Sequence, residues 1–168
     1  MADKSNVMTY AGGLWQRVFK EFAREFPAIA TQHMYVDALC LQMLREPRSL
    51  DVIVTNNMFG DIATDLGAAL QGGLGMAASG NLHPGRVSMF EPVHGSAPKY
   101  AGTGKANPFG AILTAALMLD HLGHGAEASA VEAAVAACVR EGAATSDVGG
   151  SLSTSAAGDA VCQRLRLG

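Results

Sequence analysis

An 18-residue segment from Glu91 to Pro108 constrains the fold more than any other part of the sequence. It reads EPVHGSAPKYAGTGKANP and contains three prolines and three glycines. Proline removes a backbone donor and glycine weakens helices and strands, so this composition predicts a loop and not a helix or a central strand. The apolar helical pattern of residues 109–122 begins directly after it. The sequence therefore predicts an irregular loop, carrying a histidine and two lysines, that leads straight into a helix.

Short apolar runs alternate with helical patterns along the chain, which favours an α/β fold. Strands are predicted at residues 29–35, 51–55 and 87–90, the last two buried in a sheet. Helices are predicted at residues 14–22, 36–44, 62–70, 109–122, 126–140 and 160–165. Only three or four strands accompany these helices, and none is predicted before the first helix. The pattern thus indicates incomplete sheets.

The composition argues against several classes of protein. A net charge of −3 gives no basic surface for nucleic acid, and no apolar run reaches the roughly 20 residues that a membrane span needs. The N-terminus lacks the apolar stretch of a secretory signal. Cys40, Cys138 and Cys162 are widely spaced in apolar helical patterns, which predicts buried, reduced thiols in a cytoplasmic protein. The sequence contains no CxxC or HxxxH cluster, so it gives no indication of a zinc site.

Three aspartates are candidate metal ligands. Asp61 and Asp65 lie four residues apart on one predicted helix and so share a face. Asp61 lies near the predicted N-terminus of that helix, and the apolar neighbours of Asp65 argue against full exposure. Asp37 opens another helix after a predicted strand, and ligands that are all oxygen favour Mg²⁺ or Mn²⁺. The alternative is that Asp61 is a helix N-terminal charge and Asp65 a solvated residue.

Lys4 is a candidate base because it lies in DKSN, beside Asp3 and close to Asn6. A lysine acts as a general base only where burial or neighbouring charges depress its pKa. Nothing in the local sequence requires this, so a solvated lysine remains the alternative.

Five segments together resemble the β-decarboxylating dehydrogenases, the family of isopropylmalate, isocitrate, homoisocitrate, tartrate and malate enzymes. They are DKSNV, HMYVDALCLQML, DVIVTNNMFGDIATDLGAAL, GGLGMAASGNL and FEPVHGSAPKYAGTGKANP, in the family's order over nearly the whole chain. The resemblance implies oxidative decarboxylation of a metal-bound 2-hydroxy acid by NAD or NADP, with Mg²⁺ or Mn²⁺ stabilising an enolate. The EPVHGSAP form of the loop favours a 3-isopropylmalate-like substrate, with tartrate and malate as alternatives.

The resemblance also implies a role for individual residues. It makes Lys4 and Asp37 catalytic, and it makes Asp37, Asp61 and Asp65 the metal ligands. Lys4 and Asp37 would serve the active site of the partner subunit, so the site would require a dimer. The implied cofactor-binding residues are Asn6, Glu91, His94, Gly95, Ser96, Ala97, Lys99, Tyr100, Asn107 and Asp147. The alternative for the loop is a structural segment with a capping histidine.

Two loops give conflicting indications of which nucleotide binds. Lys99 with Tyr100 resembles the NADP-using isocitrate enzymes, because a lysine attracts the 2′-phosphate that an acid would repel. Asp147, Gly149 and Gly150 resemble the isopropylmalate enzymes instead. NAD and NADP both remain open, with a weak preference for NADP.

Members of the family carry a further N-terminal half, which supplies the first βαβ units, the substrate-binding arginines and a tyrosine that protonates the enolate. By this resemblance, residues 1–73 would be the later part of the small dimerisation and metal-site domain, and residues 74–168 the later part of the large cofactor-binding domain. We therefore expect a partial isopropylmalate-dehydrogenase-like α/β fold with incomplete sheets flanked by helices. The chain would work as a homodimer or with a missing N-terminal half on a small 2-hydroxy acid. The alternative is an inactive fragment or a regulatory or structural subunit.

Overall fold

A computed structural model describes residues 1–167, and the chain divides into two compact units, Met1–Gly67 and the residues from Ala68 onward. The fold is α/β with incomplete sheets, as expected: the described residues form six α-helices and four short strands in two two-stranded sheets. The strands are β1 (Ala2–Asp3), β2 (Met34–Tyr35), β3 (Ala78–Asn81) and β4 (Met89–Pro92). The helices are α1 (Thr9–Ala23), α2 (Val36–Arg45), α3 (Asn57–Leu70), α4 (Phe109–His121), α5 (Gly125–Arg140) and α6 (Thr154–Leu167).

The first unit is built on a parallel pair of strands, with Ala2 opposite Met34 and Asp3 opposite Tyr35. Apolar side chains of α2 and α3 cover this pair in a small core. The buried members of that core are Ala2, Leu39, Met43 and Ala63. Because parallel strands end at the same edge, the residues that follow β1 and β2 lie close together.

Two strand predictions in this unit are wrong. Of residues 29–35, only Met34 and Tyr35 form a strand, because β1, the strand with which they pair, is also two residues long. Residues 51–55 are extended but form no strand, and Val52 is 89% exposed because no apolar layer of this unit covers it. The segment is tied to β1 by hydrogen bonds from Ala2 N to Val54 O (2.9 Å) and from Thr55 Oγ1 to Ala2 O (2.9 Å). The strand β1 itself was not predicted, because two residues are too short to leave a periodic pattern.

The second unit packs three helices against an antiparallel hairpin. Ala78 lies opposite Pro92 and Asn81 opposite Met89. Helix α4 contacts both strands, α5 packs on α4, and α6 packs on α5. Fully buried residues of this core include Phe109, Cys138, Ala144 and Ala157.

The predicted buried strand at 87–90 is displaced to Met89–Pro92, and Val87 is 93% exposed. The prediction of three buried thiols holds only for Cys138, whose burial raises its pKa. Cys40 is half-buried and Cys162 is exposed, because each lies beside the core-facing stripe of its helix; all three are free. Within residues 1–167, no helix combines the length and apolarity needed to cross a membrane.

Candidate active site

Lys4 and Asp37 form an ion pair at the shared edge of β1 and β2. Lys4 directly follows β1, and its ammonium donates to Asp37 Oδ1 at 2.7 Å. Asp37 lies in the first turn of α2, which begins immediately after β2. The hydrogen bond from Lys4 lowers the pKa of the Asp37 carboxyl, so this group is a carboxylate at neutral pH. The structure therefore brings together the two residues that the sequence marks as catalytic.

Helix α3 carries the other two candidate metal ligands, but it begins five residues earlier than predicted. Asn56 Oδ1 accepts a hydrogen bond from Phe59 N at 3.0 Å, which is the geometry of an N-cap. Asp61 therefore lies in the second turn and not at the N-terminus. Asn57 Nδ2 donates to Asp61 Oδ2 at 3.1 Å.

Both carboxylates of α3 point away from the core of the first unit. Ala63 is buried, whereas Asp61, Ile62 and Asp65 are exposed, so the expectation that Asp65 is shielded is wrong for a single chain. The side chain was expected to be shielded because its neighbours are apolar, yet one of them, Ile62, is itself 54% exposed.

Asp61 and Asp65 fit a hard divalent cation. They are two carboxylates one helical turn apart, and neither has an ion-pair partner within residues 1–167. Oxygen ligands of this kind suit Mg²⁺ or Mn²⁺. In the described part of a single chain, however, no three carboxylate, imidazole or thiolate groups gather as a metal site. Further ligands, including the predicted contribution of Asp37, must come from outside this pair.

Asn6 lies at a polar groove of about 540 Å³ in the first unit. Ser5, Thr9 and Tyr35 line one part of it. The groove is also lined by three cationic side chains of α1, which are Arg17, Lys20 and Arg24. The seven-residue spacing of Arg17 and Arg24, with Lys20 between them, is the sequence signal for a shared face of α1.

In the second unit, Asn107 and Asp147 join two loops. Asn107 Nδ2 donates to Asp147 Oδ2 at 2.9 Å, while Asn107 Oδ1 accepts from Phe109 N at 2.9 Å. Thr145 Oγ1 donates to the other carboxylate oxygen of Asp147 at 2.5 Å. A Cβ at Gly75 would lie 2.7 Å from Asp147 Oδ2 and 2.9 Å from Asn107 Cβ, so only glycine fits there.

His94 has an unfilled hydrogen-bonding position. Its Nδ1 lies 3.0 Å from Gly95 O, so Nδ1 carries the proton and donates to this carbonyl. Its Nε2 is buried and has no partner. A Cβ at Gly110 would lie 3.3 Å from His94 Cδ2, so a glycine at the start of α4 lets the loop approach the helix. An unpartnered buried acceptor fits a ligand that brings its own donor.

The rest of the predicted cofactor loop is exposed. Ala97 has φ of +41°, a backbone strain that a non-glycine residue rarely adopts and that is often found at functional sites. Lys99 Nζ lies 5.0 Å from the centre of the Tyr100 ring. Gly95 and Ser96 are exposed, as is Glu91 in β4, whose carbonyl accepts from Ser79 Oγ at 2.9 Å.

The structure thus gathers the predicted residues into three separate groups. Lys4 pairs with Asp37, and the two carboxylates of α3 share a face. The residues of the predicted nucleotide site lie in the second unit, except Asn6, which lies in the first. Gly75 and Gly110 were missed as site residues. A glycine that is needed because other residues pack closely against it cannot be recognised from the sequence, since its neighbours in space are not known there.

The chain matches the model of the isocitrate/isopropylmalate dehydrogenase family over residues 1–161. It is 50% identical over 167 residues to the 3-isopropylmalate dehydrogenase of Thermobifida fusca, which covers 98% of this chain and 46% of that protein. It is 48% identical over 165 residues to the 3-isopropylmalate dehydrogenase of Streptomyces avermitilis, covering 94% of this chain and 48% of that protein.

Solved structures give the same result. The crystal structure of isocitrate dehydrogenase from Methylococcus capsulatus matches with a TM-score of 0.88 at 38% identity, over 98% of this chain and 49% of that one. The apo form of a β-decarboxylating dehydrogenase from Thermococcus kodakarensis matches with a TM-score of 0.78 at 37% identity, over 98% and 48%. The chain therefore spans about half the length of the curated relatives it matches.

Proposed function

The chain belongs to the isocitrate/isopropylmalate dehydrogenase family, and we propose that it provides catalytic, metal-binding and nucleotide-binding residues for the oxidative decarboxylation of a 2-hydroxy acid. The observation that carries this proposal is the ion pair of Lys4 and Asp37, two residues of the family's motifs that the fold brings within 2.7 Å of each other. A 3-isopropylmalate-like acid is the favoured substrate because the two curated relatives described above act, by name, on that compound.

Lys4 is proposed to transfer the proton of the substrate hydroxyl. The ammonium that donates to Asp37 must first release a proton to solvent. The neutral amine at Nζ then accepts the hydroxyl proton, directly or through a water, and the adjacent Asp37 carboxylate stabilises the ammonium that re-forms. The side chain of Lys4 is 25% exposed, but that of Asp37 is 68% exposed, so solvent screens the pair. When bound, a nicotinamide nucleotide supplies the hydride acceptor and a divalent cation supplies positive charge for the developing enolate.

The residues around Gly75 and Gly110 are proposed to bind the adenosine part of the nucleotide. Asn107 and Asp147 offer fixed polar groups, and the buried Nε2 of His94 offers an acceptor for a ligand donor. The exposed ammonium of Lys99 beside the Tyr100 ring favours NADP, because it can pair with a 2′-phosphate.

The metal site is proposed to form between two copies of the chain. Asp61 and Asp65 of one copy would bind Mg²⁺ or Mn²⁺ together with Asp37 of the partner subunit, since a single chain gathers no third ligand in its described residues. Exposed apolar residues on the same helix, Met58 and Ile62, support a contact with another chain.

A further segment, as long as this chain, is proposed to complete the enzyme. The first unit exposes an apolar cavity of about 330 Å³ on α1 and the residues after it. Phe22, Phe26 and Ile29 are among its lining residues and are 52–63% exposed. Relatives about twice as long as this chain would supply such a covering segment. The free cysteines agree with a reducing cytoplasmic location.

A second candidate is a subunit that pairs with relatives of this family but has no catalytic activity. The absence of a complete metal site in residues 1–167 of one chain favours it, as does the exposed apolar surface of the first unit. The two candidates differ in whether the assembled protein turns over substrate.

The test is a nucleotide-reduction assay with Mn²⁺ and each of isopropylmalate, isocitrate, tartrate and malate. It is run on the chain alone and on the chain co-expressed with the amino-terminal half of a relative. We expect chelator-sensitive reduction of the nucleotide only by the combined protein. Lys4→Ala should abolish it, whereas the control Arg140→Ala, at an exposed cation of α5 outside the groups described above, should not. A folded, stable combination without turnover would favour the inactive subunit.

A further inference from the structure

Lys4 lies in a turn that is stabilised by the buried carboxylate of Asp3. Asp3 is 2% exposed, and its Oδ1 accepts hydrogen bonds from both Ser5 N and Ser5 Oγ at 3.1 Å. A carboxylate that accepts from the backbone two residues later closes an Asx turn, and Lys4 is the residue inside it. The direction in which Lys4 leaves β1 is therefore set by Asp3.

His33 contacts the same carboxylate. Its Nε2 lies 2.8 Å from Asp3 Oδ1, and since a carboxylate only accepts, Nε2 carries the proton at this contact. The Gln16 amide nitrogen lies 3.2 Å from the same Nε2, but both are then donors and form no hydrogen bond with each other. The imidazole stands edge-on to the Tyr35 ring, with the ring centres 5.1 Å apart. Lys4 Nζ lies 5.7 Å from the centre of the same Tyr35 ring, within reach of a cation–π interaction. A chain of contacts thus runs from Asp3 through His33 and Tyr35 to the Lys4 ammonium.

Helix α1 fixes the turn from the other side. A Cβ at Gly12 would lie 2.5 Å from Ser5 Cα, so the helix and the turn are in direct backbone contact. Gln16, one turn further along α1, donates to Ser5 Oγ at 2.5 Å. The three-residue turn is thus fixed both by the Asp3 carboxylate and by helix α1.

This arrangement is poorly explained as a means of stabilisation. The second oxygen of Asp3, Oδ2, is buried without a hydrogen-bond partner, which costs free energy that an apolar residue would not incur. Buried ion pairs are in general weak contributors to stability, because desolvation offsets their attraction. Burial by itself would raise the pKa of Asp3, but hydrogen bonds from His33 and Ser5 outweigh it and hold that pKa below its usual value.

We propose that Asp3 and His33 are positioning residues for Lys4: the buried carboxylate closes the turn that carries Lys4, and the imidazole it orients supports the Tyr35 ring beside the ammonium. The inference rests on the proposed function, since it takes Lys4 as the residue that transfers the proton. Neither Asp3 nor His33 touches the substrate in this scheme.

The first test measures the order of the Lys4 side chain by 13Cε relaxation in the full chain, with the exposed Lys20 as internal reference. Asp3→Ala should remove the excess order of Lys4 over Lys20, whereas Asp3→Asn, which keeps an acceptor for the turn, should retain it. The matched control is Thr55→Val, which deletes a hydrogen bond to Ala2 on the other edge of β1. Unchanged order in a folded Asp3→Ala chain, or an equal loss in Thr55→Val, overturns the proposal.

A second pair of variants keeps the test decisive if Asp3→Ala does not fold. His33 is 27% exposed, so His33→Leu should fold while losing the donor to Asp3, and Lys4 should become as mobile as Lys20. His33→Gln keeps an amide donor and should restore part of the order. A Lys4 side chain that stays ordered in His33→Leu overturns the role of the imidazole.

Kinetics of the assembled enzyme separate failure of this inference from failure of the proposed function. Asp3→Ala should lower kcat about tenfold or more while leaving the KM for the nucleotide nearly unchanged, because a misplaced base acts on the chemical step. If the wild-type assembly turns over and Asp3→Ala keeps its kcat, the positioning role is wrong. If Lys4 loses its order in Asp3→Ala but the wild-type assembly has no activity, the positioning stands and the proposed function fails.

Discussion

The Asn107 amide donates a hydrogen bond to the Asp147 carboxylate across 2.9 Å and so joins two loops that lie 40 residues apart in the sequence. The same side chain accepts from Phe109 N, which ties the start of α4 to this junction. An amide suits this position because its nitrogen donates to the carboxylate while its oxygen accepts from the backbone.

Asn107→Asp should therefore be destabilising in a pH-dependent way. The new carboxylate still accepts from Phe109 N, but it faces Asp147, and we expect a loss of about 1 kcal/mol or more at neutral pH. Repulsion between two carboxylates raises their pKa in the folded state, so the loss should shrink as the pH falls and one of them binds a proton. Urea denaturation at pH 7 and pH 5 measures this.

Asn107→Ala is the control for that prediction. It removes the acceptor for α4 without adding a charge, so its loss of stability should be about the same at both pH values. If Asn107→Asp is destabilised equally at pH 7 and pH 5, the contact with Asp147 is not the one described above.

Adjacent glycines in α1 should respond oppositely to the same substitution. A Cβ at Gly12 would lie 2.5 Å from Ser5 Cα, a backbone atom that cannot move aside cheaply, so Gly12→Ala should cost about 1–3 kcal/mol. A Cβ at Gly13 meets nothing within 4 Å, so Gly13→Ala should stabilise the helix by about 0.5–1 kcal/mol. Thermal unfolding of the two variants decides this, and a shift of the same sign in both would contradict the packing of α1 on the turn.

The helices could be predicted from the sequence much better than the strands. Helix α4 begins at Phe109, where its apolar pattern begins, and α2 begins at Val36 as predicted. Helix α3 begins five residues before the predicted start, because asparagines at this point of the sequence are equally consistent with a turn and with a helix N-cap. Residues 51–55 failed as a strand because β-branched residues form strands only when a neighbouring strand and a covering layer are present.

The pairing of Lys4 with Asp37 could be predicted only through the resemblance to a family. These residues are 33 positions apart, and no local pattern links them. They meet because β1 and β2 run parallel, and a two-residue strand leaves no periodic signal. The contribution of Gly12 and Gly75 had no sequence signal at all, because it depends on what a side chain would touch in space.

Lys99→Asp should shift the nucleotide preference from NADP towards NAD. The Lys99 ammonium is exposed beside Tyr100, so it is free to pair with a 2′-phosphate, and an aspartate would repel that group while accepting from ribose hydroxyls. The ratio of the two dissociation constants, measured by titration, should change about tenfold or more. Lys105→Asp, at another exposed loop lysine, makes the same change of charge and should leave the ratio nearly constant. Equal effects of the two variants would assign the shift to net charge alone.

Asp3→Asn should alter the acid limb of the stability curve. Because the pKa of Asp3 is lowered from 3.8 in the folded chain, its ionised form stabilises the fold above the unfolded pKa, and this contribution is lost as the pH falls through the folded pKa. An asparagine cannot titrate, so the difference in unfolding free energy between wild type and variant should shrink as the pH falls below about 5. The pKa of Asp37 is also lowered, but its pH-dependent contribution to stability is present in both proteins and cancels in the difference. A difference that does not change between pH 5 and pH 2 is the result that contradicts this assignment.

Mixed dimers test whether the active site is shared between two copies of the chain. The experiment uses the chain combined with the amino-terminal half of a relative. If Lys4 serves the partner subunit while Asp65 serves its own, the Lys4→Ala and Asp65→Ala assemblies are each inactive, yet a hybrid dimer has one intact site. Random exchange of subunits should restore about one quarter of wild-type activity, since half the dimers are hybrid and each has one working site of two.

The matched control for this experiment mixes Lys4→Ala with Asp37→Ala. Lys4 and Asp37 lie 2.7 Å apart in one chain and would be donated to the same site, so each site of this hybrid lacks one of them and activity should not return. Mass spectrometry confirms that hybrids form in both mixtures. Recovery in both mixtures, or in neither when hybrids are present, would show that the four residues are not divided between subunits as proposed.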